Sequence, residues 1–265
     1  MKKALLVFAG IYLSILLVLY LGQDWVIFRA DPLPEHYTFE FDQQFVEKTY
    51  VNNEGVPIST LFFPADGPSK GLVFNNHGNR RNISRWGRTA EEFTKRGYDV
   101  FFYDYRGFGK TPGAPSEKNI FEDSEFLYQQ MKKRYPEEKI VMYGRSLGTG
   151  VATRLASKFR PKMLILETPY FYMAHVGKLH IPIFPYDLLI NHPFRSDLFI
   201  QEVECPVYLI HGTDDELVPY ESSELLLQNA QKAATKDLLT INGGHHRGLS
   251  RFEAYQSKLD QLLAE

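Results

Sequence analysis

Cysteine is nearly absent. Cys205 is the single one among 265 residues, so no disulfide can close within the chain. Standing before Pro206 at the mouth of an apolar run, it reads as a small buried hydrophobe rather than a reactive thiol. Excess charge is also missing: the net value of −2 gives no electrostatic basis for nucleic-acid binding. Metal signatures are lacking, because His77, His211 and His245 do not fall at the ligand spacing of a helical or knuckle zinc site. No G-x-G-x-x-G follows the first strand, so a dinucleotide has no cradle. Gly107-Phe108-Gly109-Lys110-Thr111 echoes only the end of a phosphate loop, without its first glycine. No cofactor is implied. Internal repeats and low-complexity segments are absent as well.

What is present begins at the N-terminus. Ala4 to Leu21 is an uncharged run whose strongly polar member is Ser14. As a helix it would extend roughly 27 Å, close to the hydrocarbon thickness of a bilayer. Its leucine, isoleucine, valine and phenylalanine side chains favour insertion by on the order of 4 to 7 kcal/mol. A cleaved signal peptide would want small residues before its cleavage point, and Tyr20-Leu21-Gly22-Gln23-Asp24 offers no A-x-A pattern. Residues 1–30 are therefore expected to be a retained anchor with its juxtamembrane segment. Lys2 and Lys3 precede the run and Arg29 follows it, which predicts a cytoplasmic N-terminus and a body outside the cytoplasm.

Residues 31–265 read as one α/β domain. Phe45–Val51 and Ile58–Phe63 flank Asn52-Asn53-Glu54-Gly55 as a hairpin. Strands are expected at Gly71–Asn76, Tyr98–Asp104, Lys139–Tyr143, Lys162–Leu166, Val207–Ile210 and Asp237–Ile241. Helices are expected at Trp86–Arg96, Ile120–Tyr135 and after Gly148. Continuously apolar strands alternating with helices predict a mostly parallel sheet covered on both faces. The leading hairpin makes that sheet mixed. Residues 170–195 break the rhythm with Tyr, Phe, Pro and Ile lacking periodicity, as a cap, a lid or a pair of short helices would.

The most informative motif is Gly144-Arg145-Ser146-Leu147-Gly148, set between a strand and a helix. Such a turn lifts Ser146 to its tip as a nucleophile, with glycines that let neighbouring chain approach and a helix N-terminus behind it. A serine nucleophile needs a base, and the base needs an orienting carboxylate. Both types follow in the order serine, acid, histidine, at the carboxyl ends of later strands. Asp214 and Asp215 lie after Val207–Ile210, and His245 and His246 lie after Asp237–Ile241. The residues alone do not choose within either pair. Glu167, at the same edge, reads as a buried carboxylate bonding loop amides. Two backbone N–H groups would hold an oxyanion, those of Leu147 and Asn79, the latter in the loop His77-Gly78-Asn79-Arg80-Arg81. His77 reads as a brace for that loop. Arg80, Arg81, Arg85 and Arg88 form a basic cluster beside it, which reads either as a solvated surface or as a dock for anionic headgroups or phosphate-bearing substrate.

Taken together, Asn75-Asn76-His77-Gly78-Asn79, Asp104–Lys110, Gly144–Gly148, Glu167-Thr168-Pro169-Tyr170, His211–Pro219 and Gly243-Gly244-His245 resemble the α/β-hydrolase superfamily. More narrowly they resemble its small membrane-anchored serine hydrolases. The resemblance covers essentially the whole body in order. It implies an α/β-hydrolase fold with a small cap region, and a triad in which the acid aligns with Asp215 and the base with His245. It also implies hydrolysis of esters, thioesters or occasionally amides. Tyr170, Phe171 and Phe184 would then line an apolar acyl site for a small-molecule or lipid substrate. A peptidase of the same fold and a non-catalytic membrane-tethered binding protein are the alternatives.

Overall fold

Strands Tyr98–Tyr103 and Gly71–Asn76 are buried at every position, and they form the centre of an eight-stranded mixed sheet. The computed structural model describes residues 1–264. The strands are β1 (Val46–Val51), β2 (Pro57–Phe63), β3 (Gly71–Asn76), β4 (Tyr98–Tyr103), β5 (Ile140–Arg145), β6 (Met163–Glu167), β7 (Val207–Gly212) and β8 (Lys236–Ile241). They are ordered β1-β2-β4-β3-β5-β6-β7-β8. β1 pairs antiparallel with β2, and β2 antiparallel with β4; every later pairing is parallel. The expected hairpin and mixed sheet are thus both present.

The helices are α1 (Lys2–Phe28), α2 (Ile83–Trp86), α3 (Glu91–Thr94), α4 (Glu117–Lys132), α5 (Leu147–Ala156), α6 (Met173–His180), α7 (Tyr186–Leu189), α8 (Ser196–Phe199), α9 (Glu221–Asn229) and α10 (Glu253–Leu262). The sheet separates two apolar layers. Leu72, Phe74, Met142 and Leu164 pack with α4 and α5 on one face, while Val73, Val141, Ile165 and Tyr255 of α10 pack on the other. Alternate residues of continuously apolar strands therefore serve opposite layers, as a sheet covered on both faces demands. The single helix expected over Trp86–Arg96 is instead α2, a 3₁₀ turn at Gly87–Thr89 and α3. Gly87, with the weakest helical preference after proline, stands at the break.

The irregular stretch contains α6 and α7 and packs on α1. Tyr12 Oη donates to the Ile183 carbonyl at 2.9 Å, and its ring stacks on Phe184 at 5.8 Å. Gln23 Nε2 donates to the Leu189 carbonyl at 3.1 Å, and Gln23 Oε1 accepts from Asn191 N–H at 2.6 Å. At the end of α1, Ile27 and Phe28 are buried in the same apolar layer as α5. α1 is long and apolar enough to cross a membrane by length and composition. Its last turn belongs to the core of the body rather than to a free tether.

Candidate active site

Parallel strands β3, β5, β6, β7 and β8 all end at one edge, and their following loops meet there. Ser146 stands between β5 and α5 with φ 51° and ψ −119°, a conformation a serine rarely adopts. It is held by its own N–H, which donates to the Glu167 carbonyl at 3.0 Å, and by Thr149, whose Oγ1 donates to the Ser146 carbonyl at 2.6 Å. The glycine after it is required by contact: a Cβ on Gly148 would stand 2.0 Å from the Asn76 carbonyl oxygen. That closeness brings the end of β3, and with it the His77–Arg81 loop, against the first turn of α5.

His246 faces Ser146. Its Nε2 lies 3.0 Å from Ser146 Oγ and its Nδ1 2.8 Å from Asp215 Oδ2. Asp215 Oδ1 accepts from the N–H groups of Leu217 and Val218 at 2.9 and 2.8 Å. His211 Nε2 adds a fourth donor to the carboxylate, to Oδ2 at 3.0 Å, while His211 Nδ1 meets Ser223 Oγ at 2.6 Å. Burial works against the charge on Asp215. The hydrogen bonds from His211 and His246, the His246 charge and the Val218 amide outweigh it and hold the carboxyl below the usual carboxylate range. An acceptor-only carboxylate at Nδ1 leaves His246 Nε2 free to take the Ser146 proton.

The structure therefore corrects the alignment of the base. His245 does not reach Ser146: its side chain is 66% exposed, and its Nδ1 meets the Asp214 carbonyl at 3.0 Å and Glu216 Oε2 at 3.2 Å. Both histidines satisfy a G-x-H spacing, one from Gly243 and the other from Gly244. The tightly packed glycine decides the register. The Gly244 carbonyl oxygen fills the place of a Cβ on Gly212, at 2.0 Å, whereas Gly243 has nothing within 4 Å. The residue two beyond Gly244, His246, is thus the one delivered to the edge of the sheet. Within the acid pair, Asp215 meets the histidine, and Asp214 closes the local turn through Thr213 Oγ1.

His77 is buried and braces its loop. Its Nδ1 lies 2.7 Å from the Gly78 carbonyl and its ring packs 4.1 Å from Tyr105. Burial pushes its pKa down to about 4, so it is neutral at ordinary pH. Glu167 is likewise buried, in an ion pair with Arg145 at 3.1 Å and accepting from Tyr143 and Tyr255. Among the described residues no group of His, Cys, Asp and Glu is arranged to hold a metal ion.

A cleft of about 360 Å³ opens beside Ser146 and His246. Gly78 and Asn79 line it on one side and Leu217 on another, with Trp86 packed over Gly78. Five arginines complete it: Arg80, Arg81, Arg85, Arg145 and Arg247. Asn79 and Leu147, expected as amide donors, both adjoin Ser146, Asn79 in the cleft wall and Leu147 as the next residue. Tyr170, Phe171 and Phe184 do not line this cleft, a second correction. Tyr170 is buried beneath α5, where its hydroxyl donates to the Leu147 carbonyl at 3.2 Å. Phe171 packs edge-on to His175 and Phe184 stacks on Tyr12. Of the three, only Phe184 packs on α1. No pattern in the sequence marks Trp86, Arg145 and Arg247 as cleft residues, although Arg145 is a variable position of the serine motif itself.

Residues 67–185 match the family described as serine aminopeptidase, S33. A protein of Mycobacterium tuberculosis of uncharacterised function is 31% identical over 73% of this chain and 69% of its own length. The chain belongs to the α/β-hydrolase superfamily. Among abhydrolase-domain proteins, it is 27% identical to alpha/beta hydrolase domain-containing protein 17C of Xenopus tropicalis, over 88% of this chain and 75% of that one. It is 34% identical to the lysophosphatidylserine lipase ABHD12 of Danio rerio over 52% of this chain, which spans only 41% of that relative's length. The hydrolase fold is also that of a Pyrococcus furiosus esterase, with a TM-score of 0.70 at 21% identity over 89% of this chain and 96% of that one.

Proposed function

We propose that the chain is a serine ester hydrolase acting on acyl esters or thioesters of lipid-like or small carboxylic acids. The observation that carries this reading is the continuous line Ser146 Oγ, His246, Asp215, joined at 3.0 and 2.8 Å. Ser146 Oγ attacks the acyl carbonyl while its proton passes to His246 Nε2. Asp215 holds Nδ1–H and stabilises the imidazolium. The Leu147 and Asn79 N–H groups receive the oxyanion at the N-terminus of α5. The alcohol or thiol leaves with the proton from His246, and water cleaves the acyl-enzyme by the same route. The relatives' names point to esters and lipids, in keeping with this chemistry.

An aminopeptidase needs a carboxylate to receive the substrate's free amine. The cleft is lined by arginines and no carboxylate, which favours an ester over a peptide N-terminus. α1 is read as a single span with Lys2 and Lys3 on the cytoplasmic side. The cap shares its environment: Ile183 bonds Tyr12 within the apolar run, and Ile181, Ile183 and Leu188 are exposed. Substrate thus reaches the cleft from the bilayer surface.

The test is fluorophosphonate labelling of the full chain in detergent, followed by hydrolysis of p-nitrophenyl esters from acetate to palmitate. Labelling and turnover that vanish in Ser146→Ala are expected. A wild-type protein that neither labels nor turns over any ester overturns the reading.

A further inference from the structure

The arginines of the cleft have no task in the chemistry just described. Arg96, Arg106, Arg145, Arg160 and Arg195 each face a carboxylate. Among the described residues, Arg29, Arg88, Arg134, Arg154 and Arg251 form no ion pair, and neither do Arg80, Arg81, Arg85 and Arg247; what sets the last four apart is that all are exposed at one cleft without a carboxylate in its wall. The chain as a whole is slightly acidic, at −2, so composition does not explain the concentration. Like charges held together destabilise a fold. Here the Arg80 guanidinium is pushed below its usual range, by desolvation first and then by Arg29, Arg247 and Arg81.

We propose that Arg80, Arg81, Arg85 and Arg247 form an anion subsite beside Ser146 that takes a phosphate carried on the alcohol part of the acyl ester. This rests on the ester-hydrolase reading and names its substrate class. Guanidinium forks match phosphate oxygens two at a time. The subsite's position limits how far the phosphate lies from the ester. Arg80 follows Asn79, and Arg247 follows His246, with consecutive Cα atoms 3.8 Å apart. Because these arginines and Ser146 line one cleft of about 360 Å³, we take a short alcohol, of glycerol size, as the link between phosphate and ester. Its height fits a headgroup. Asn79 bonds the Ile27 carbonyl at 2.9 Å, which puts the neighbouring arginines level with the end of α1, where an apolar helix would leave a bilayer. Arg88, the fourth arginine of the sequence cluster, lies outside the cleft, in a separate depression with Glu40, Asp42, Asp66 and Glu91, and serves as a control.

The experiment compares two ligands of equal acyl length, 1-oleoyl-glycerol phosphate and monooleoylglycerol, in the same detergent micelles. Binding to full-length Ser146→Ala protein is read by calorimetry, and turnover is read with the wild type. The phosphate ester is expected to bind roughly tenfold to a hundredfold more tightly, with the same ratio in KM. Arg80→Gln with Arg247→Gln should reduce that ratio to within about threefold, and Arg88→Gln should leave it in place. Equal binding of the two ligands, or a ratio that survives the double substitution, overturns the proposal. A binding ratio without any turnover by wild type keeps the subsite and overturns the hydrolase reading instead. Glycerol phosphate in solution, without a chain, separates the sources. Saturable binding assigns the site to phosphate esters at large. Preference confined to the micellar ligand assigns it to lipid headgroups.

Discussion

The Asn79 side-chain amide donates to the Ile27 carbonyl across 2.9 Å. The loop proposed to hold the oxyanion is thereby fastened to the last turn of the apolar helix. Phe28, next in that turn, is 1% exposed. Phe28→Ala is expected to destabilise the body by about 3–5 kcal/mol, as deletion of a buried aromatic does. Asn79→Ala, which removes one hydrogen bond, should cost about 1 kcal/mol. Urea unfolding of the full chain in detergent measures both, and an unchanged midpoint for Phe28→Ala would contradict the docking of α1.

Adjacent histidines should behave as opposites. His246→Ala is expected to lower kcat/KM on a soluble ester by on the order of 10⁴-fold, as removal of a triad base does. His245→Ala, at an exposed ring, should stay within about threefold of wild type. The reverse pattern would restore His245 as the base.

Tyr170 should prove a packing residue. Its hydroxyl occupies the space of a Cβ on Gly150, 1.9 Å away. Gly150→Ala alone is expected to cost about 1–3 kcal/mol through overpacking, and Tyr170→Phe should recover part of that cost. Tyr170→Phe by itself should leave KM for p-nitrophenyl esters unchanged. Thermal unfolding and ester kinetics on the three variants decide the matter, since a substrate-contacting Tyr170 would shift KM.

Glu92, partly buried, and Asp215, buried, give opposite dependences of stability on pH. Burial, then the charge of Glu167, raises Glu92 to about 7. The unfolded chain ionises Glu92 near 4.5, so the penalty grows as pH rises from about 4.5 to 7 and is constant above. Glu92→Gln is expected to be more stable than wild type by on the order of 1–3 kcal/mol at pH 8, with the difference vanishing below pH 4.5. Asp215, held below the usual range, contributes stability that is full above the ordinary carboxylate pKa and is lost as pH falls through it. Unfolding curves between pH 2 and 8 test both signs, Glu92 above pH 4.5 and Asp215 below about pH 4.

Much of this was legible in the chain. Strands such as Tyr98–Tyr103 are continuously apolar because both their faces are covered, and Gly144–Gly148 between a strand and a helix leaves little choice but a nucleophile turn. The unbroken apolar run marked α1 by length alone. Tertiary structure decided what adjacency hides. Asp214 with Asp215, and His245 with His246, are equivalent in composition and spacing. The loop is fixed where Gly244 packs on Gly212 and its carbonyl accepts from Asp214 N–H, and His246 is the histidine that turns inward. The aromatic stretch 170–186 carries no label for its partner, and α1 claimed Phe184 while α5 claimed Tyr170. Arg247 lies 162 residues beyond Arg85, the last of the other free arginines of the cleft (247 − 85), and only the meeting of loops at one sheet edge brings them together. Local sequence dictates elements through periodicity and turn chemistry. Long-range close approach, which no local pattern encodes, dictates which side chains meet.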